Sequence, residues 1–148
     1  MNIPSTDLTQ RPPRSTRARL GGYVLLPRML DKGRAEIAGK SGEYHYNCPL
    51  DQRILGFLGI DPDALRAELA KGKGDGEILD WIKANQANKH TPAEIDAWSE
   101  EQAKRTPDAD SQEFFNEILQ ACGPHRTDIR TWADLLELDD YVTFGGKP

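Results

Sequence analysis

The stretch LPRMLDKGRAEI, Leu26 to Ile37, decides how this chain folds. Pro27 suits the first turn of a helix, where its fixed φ is pre-set and its missing N–H would have no intrahelical acceptor. From there Leu26, Met29, Leu30, Gly33 and Ile37 recur at helical spacing and Gly39 stands ready as a stop, so the segment reads as a helix with one apolar face. Arg28, Asp31 and Lys32 form the opposite stripe, with Arg34 to one side, and such a stripe is expected to face solvent. Gly33 weakens a helix by about 1 kcal/mol relative to Ala, which points to a backbone or ligand that approaches closely. A sharper reading follows for the cations. Guanidinium forks suit a carboxylate or phosphate, so Arg28, Lys32 and Arg34 are candidate ligand-binding residues, and the two arginines are expected to converge on one point.

Upstream, residues 1–20 carry Pro4, Pro12, Pro13 and a Ser/Thr/Arg mixture with no apolar period, and read as an extended basic arm laid over the surface. The remainder, 21–148, reads as a single helical domain. Downstream, Glu43, Tyr44, His45, Tyr46 and Asn47 alternate, so the two tyrosines would share one side of a short extended segment, and a minor β element is expected at most near 42–47. Cys48 precedes Pro49 as the N-cap of a helix carrying Leu50, Ile54, Leu55, Phe57 and Leu58. Asp61 opens the next helix. Thr91 with Glu94, and Thr131 with Asp134, carry the spacing of capped helix starts. Phe114, Phe115, Ile118, Leu119 and Cys122 make the strongest amphipathic helix, stopped by Gly123 and Pro124. The expected fold is therefore mainly α, a compact array of about six short helices behind an extended arm.

Chemistry concentrates between Leu26 and Asp51. A thiol at a helix N-terminus faces unpaired amides and the positive end of the dipole, which makes Cys48 a candidate nucleophile; Asp51, three residues on, competes for the same amides. Glu43 is the candidate general base and His45 the alternative, with Tyr44 beside the ligand. His45, Cys48 and Glu43 include metal-ligating atoms, but the paired Cys/His spacing of a zinc site is missing, so no metal is assigned and the cofactor stays unknown. There is no phosphate-cradling glycine loop, serine nucleophile elbow or paired-histidine zinc motif.

Composition sets the outer bounds. With 148 residues the chain can bury a core of its own, and with two cysteines, Cys48 and Cys122, it needs no disulfide framework. No apolar run approaches the length of a membrane span or a secretion signal, so a cytoplasmic protein without membrane contact is expected. The net charge of −5 hides an asymmetry. Arginines crowd the first quarter and carboxylates the rest, so the two halves should attract each other. The acidic body and the lack of a reading helix argue against nucleic acid as partner.

Four stretches, DLTQRPPR from Asp7, LGGY from Leu20, LPRMLDK from Leu26 and GEYHYNCPLD from Gly42, resemble a bacterial family catalogued as domain of unknown function 5069. The likeness runs closest up to Ile60 and continues as general helical character. It carries no activity, but implies that the arm, the Arg28 helix and the Cys48 turn form one unit. The functional expectation is a protein that binds or acts on a small anionic metabolite through that unit. The rival is a non-catalytic protein–protein interaction module using the basic arm or an exposed aromatic face. Whether it is an enzyme, and its oligomeric state, are left open by the residues alone.

Overall fold

The computed structural model describes residues 3–148. An extended arm leads into a hairpin of β1 (Arg19–Leu20) and β2 (Tyr23–Val24). Seven helices follow: α1 (Leu26–Ile37), α2 (Pro49–Leu58), α3 (Pro62–Leu69), α4 (Asp75–Asn85), α5 (Pro92–Ala103), α6 (Gln112–Cys122) and α7 (Trp132–Thr143). The fold is mainly helical, as the periodicity implies, with seven helices in place of about six.

The minor β element lies elsewhere than expected. It pairs Arg19 with Val24 and Leu20 with Tyr23, while 42–47 is a series of turns. Gly21 and Gly22 sit at φ 60° and 87°, and a two-residue turn with both central residues at positive φ matches the twist of paired strands. Around 42–47, Gly42 and Asn47 also take positive φ, which curls the backbone away from an extended run. The helix starts follow the sequence closely. Asp61 accepts from the Ala64 amide, and Thr91 with Glu94 and Thr131 with Asp134 close reciprocal capping boxes.

The larger hydrophobic cluster surrounds α1, whose Leu26, Met29 and Leu30 pack with Ile54 and Leu58 of α2, Leu65 and Leu69 of α3, and Ile78 and Ile82 of α4. A second cluster, Phe115, Cys122, Leu135 and Leu138, joins α6 to α7. Because α1 is enclosed on every side, every residue from Leu26 to Ala35 is buried. This corrects the expected solvated stripe: Arg28 is 5%, Asp31 8%, Lys32 3% and Arg34 8% exposed. Charges at such depth persist only with partners, and the partners come from four other parts of the chain.

The basic arm is fastened to the body. Leu8 is buried and its amide donates to the Lys40 carbonyl at 2.9 Å. Arg14 reaches Asp31 and Asp75, Arg17 reaches Asp134 and Glu137, and Arg19 reaches Asp96 and Glu100. The attraction between the two halves is thus realised as specific pairs. Ser99 of α5, fully buried, accepts from the Val24 amide and donates to the Gly22 carbonyl, which locks the hairpin onto that helix. Among the described residues no helix is long and apolar enough to cross a membrane.

Candidate functional site

Arg28 and Lys32 are one helical turn apart, so both side chains leave α1 on the same side. Arg28 forks onto Asp140 of α7, with Nη1 2.8 Å from Oδ2, and its guanidinium lies 5.5 Å from the centre of the Tyr44 ring. The Tyr44 hydroxyl donates to the other Asp140 oxygen at 2.7 Å. Burial, followed by the Asp140 hydrogen bond and charge, drives the phenol pKa far upward, so Tyr44 stays a neutral donor. One turn on, the Lys32 ammonium stands 2.9 Å from Asp51 Oδ1 and 3.2 Å from the Cys48 sulfur.

The local sequence explains this corner. Asn47 adopts a left-handed conformation at φ 61°, tolerable for its short polar side chain, and its amide donates to Asp51 Oδ2 at 2.9 Å. Cys48 is then the extended N-cap of α2, with no side chain capping the first turn. Asp51 sits at the third helical position, 1% exposed. Burial raises its carboxyl pKa, against the downward pull of Lys32 and of the Asn47 and Cys48 amides. Cys48 is half-buried, while Lys32 beside it is covered.

The other candidates are placed differently. Glu43 and His45 are exposed on the turn and share no hydrogen bond with Lys32, Cys48 or Tyr44. Arg34 points to α4, where it binds Asp75 at 2.8 Å and the Lys73 carbonyl at 3.2 Å. Arg28 and Arg34 therefore diverge onto separate carboxylates instead of meeting at one anion. Gly33 does mark a close approach, but by protein: a Cβ there would lie 2.7 Å from Leu69 Cδ1 and 3.1 Å from Tyr46 Cδ1. Among the described residues no three His, Cys, Asp or Glu side chains gather as a metal-binding group.

Asp140 and Asp75 escaped the sequence reading. Each is one carboxylate within an acidic segment, and only the fold selects it as the partner of a buried arginine. Arg14, Arg28, Lys32 and Arg34 are matched by Asp31, Asp51, Asp75 and Asp140, so the charges around α1 balance. Outside this cluster, beside the turn, an open groove of about 440 Å³ is walled by Asn47, Gln52, Leu55, Gly56, Gly59, Ile60 and Pro62.

Fold and site together define a small helical protein built round a buried, charge-compensated helix with a lysine-contacted cysteine at its edge. The chain belongs to the family described as Domain of unknown function (DUF5069), whose pattern matches residues 10–142. That match takes in arm, central helix, Cys48 turn and α7. No curated protein matches the chain.

Proposed function

We propose that this chain binds a small anionic metabolite beside the Cys48 turn, with the Cys48 thiol as the reactive group and Lys32 as its electrostatic support. One observation carries the reading: the ammonium of Lys32, a residue 3% exposed, stands 3.2 Å from the sulfur of half-buried Cys48 at a helix start without a side-chain cap. The ammonium is shared between this sulfur and Asp51, so it fixes where the thiol stands at the helix start. Arg28 and Lys32 already hold carboxylates, so the ligand's anionic group is assigned to the first turn of α2, whose N-cap side chain makes no capping hydrogen bond. The groove beside Asn47 supplies room. Glu43 and His45, exposed on the approach to Cys48, are the groups available to take the thiol proton through water. Tyr44 and Arg28 act by positioning, since both are committed to Asp140. Arg34 is committed to α4 and contributes through the fold.

The test is competitive alkylation. Iodoacetate and iodoacetamide react by the same displacement, in which sulfur bonds to the methylene carbon and iodide leaves with the bonding pair; only iodoacetate carries a negative charge. Peptide mapping of the folded protein is expected to show Cys48 modified about tenfold faster than buried Cys122. Relative to a free cysteine peptide, Cys48 should also favour iodoacetate. Equal rates at the two cysteines would overturn the reactive-thiol reading, and a peptide-like preference for iodoacetamide would overturn the anionic ligand.

A second reading, a non-catalytic interaction module, is favoured by Phe114 and Tyr141, each 59% exposed. Its basic-arm form has less support, because Arg14, Arg17 and Arg19 are already occupied by carboxylates of the same chain.

A further inference from the structure

A second polar site lies on the far side of Leu50, where the arm, the end of α5 and the start of α7 come together. Three polar atoms buried there have no hydrogen-bond partner among the described residues: Thr16 Oγ1, Gln102 Oε1 and Trp132 Nε1. Thr16 is 5% exposed. All three residues line one cavity of about 10 Å³, which Arg105 and Leu25 also line. Buried polar atoms are nearly always partnered, and losing a partner costs about 1–3 kcal/mol each, so three orphans round one hollow mark a place built for something polar.

The fourth group names its charge. Arg105 is half-buried, lies with its guanidinium 5.7 Å from the Trp132 ring centre, and has no carboxylate within salt-bridge distance among the described residues. Burial lowers its pKa, as does the nearby positive charge of Arg53, and Asp108 opposes. A guanidinium left uncompensated in a partly dry setting is a standing demand for an anion. Its backbone is held firmly, since the Trp132 amide donates to the Arg105 carbonyl at 3.0 Å and the Arg105 amide to the Gln102 carbonyl at 3.3 Å. Leu25, on the cavity wall, is fixed in the left-handed region at φ 72°, a strained conformation for a branched side chain and one that clusters at functional sites.

We infer that Thr16, Gln102, Arg105 and Trp132 form a binding site for a small monocarboxylate. The indole N–H and the threonine hydroxyl both donate, the guanidinium donates twice, and the Gln102 amide turned about its last bond offers N–H as well. The cavity holds one oxygen-sized group and the site supplies one compensating cation. In this assignment one carboxylate oxygen takes the cavity and the second meets Arg105, while a dianion such as phosphate brings a second charge that Arg105 does not compensate. This site is independent of Cys48 and survives the failure of the thiol reading.

Acetate is the probe. The three tryptophan indole resonances of nitrogen-15-labelled full-length protein are assigned with Trp132→Phe and followed through acetate, phosphate and chloride titrations at constant ionic strength. The Trp132 N–H is expected to move to a saturating limit with acetate and to drift without saturation in phosphate and chloride, while Trp81 and Trp98 stay still. Arg105→Gln, which breaks no salt bridge and should fold normally by circular dichroism, is expected to weaken acetate binding about tenfold or more, the loss of one charge-assisted contact. Saturation unchanged in Arg105→Gln, saturation by chloride to the same limit, or a bound-water signal at the indole that persists at saturating acetate would each overturn the proposal; the last would mean that the cavity holds only a structural water.

Discussion

Replacing Lys32 by Met should expose how the central helix tolerates charge. At 2.9 Å and an effective dielectric of about 20, the direct attraction between Lys32 and Asp51 is roughly 6 kcal/mol, offset by a desolvation cost of several kcal/mol per ion. The intact pair thus contributes little net stability, yet Lys32→Met leaves a carboxylate 1% exposed with only backbone donors, at a cost of about 3–5 kcal/mol. Burial already raises the Asp51 pKa, and loss of the ammonium raises it further. A carboxyl with a raised folded-state pKa stabilises most below its unfolded value, near 3.9, and that stability is lost as pH rises through the folded value. Lys32→Met should therefore recover stability as the medium is acidified from neutrality. The double variant Lys32→Met/Asp51→Asn, which buries no charge here and keeps an acceptor for the Asn47 amide, should return to within about 1–2 kcal/mol of the parent, more stable than either single variant. Urea unfolding followed by tryptophan fluorescence measures all four corners of the cycle. A loss under about 1 kcal/mol in Lys32→Met, or a double variant no more stable than that single one, would refute the account of the pair as mutually compensated buried ions.

Other perturbations probe neighbouring contacts. Gly33→Ala gains about 1 kcal/mol of helix propensity but drives a methyl into Leu69 and Tyr46, an overpacking cost of about 1–3 kcal/mol, so thermal unfolding should show no gain and a loss of up to about 2 kcal/mol. Tyr44→Phe removes the 2.7 Å hydrogen bond to Asp140 and should cost about 1.5–3 kcal/mol in urea while Arg28 keeps its fork. Asp75 is held below the ordinary carboxylate range, first by Arg14 and also by Arg34, against burial. Its contribution is present above the unfolded value near 3.9 and is lost as pH falls through the lower folded value, so Asp75→Asn should flatten the acid limb of a stability profile without changing its alkaline side. Ser99→Ala strips the hairpin of its buried side-chain anchor to α5, leaving the exposed Arg19 pairs with Asp96 and Glu100, and leaves the Val24 amide unpartnered, which should cost about 1–3 kcal/mol and speed hydrogen exchange at Val24.

Local rules carried far in this chain. Asp61, Thr91 and Thr131 announce helix starts because a cap is completed within four residues, and nothing distant alters it. Pro27 and Pro49 likewise fix where α1 and α2 begin. The β element was misplaced because period-two alternation at Glu43–Asn47 says nothing about whether a partner strand exists, whereas the Gly21–Gly22 turn had the chemistry of a hairpin. The charged stripe of α1 misled for a related reason. Helical spacing reveals which residues share a side, but burial of that side depends on oppositely charged partners 17 to 112 residues away, as for Asp31 with Arg14 and Arg28 with Asp140. Cys48 was visible from its position before Pro49, while its contact with Lys32 required the turn to fold back onto α1. The Arg105 hollow left no trace, because Thr16, Gln102 and Trp132 are ordinary residues in three distant segments.

The bond between Arg28 and Asp140 also bears on how the molecule is made. On the ribosome the middle of α1 is synthesised 112 residues ahead of its acidic counterpart, so the guanidinium travels without a counterion until α7 has emerged. The same holds for Arg17, which waits for Asp134 and Glu137. Completion of this fold is therefore tied to the emergence of α7, and a nascent chain arrested before α7 should stay protease-sensitive around α1, however many of the intervening helices it already contains.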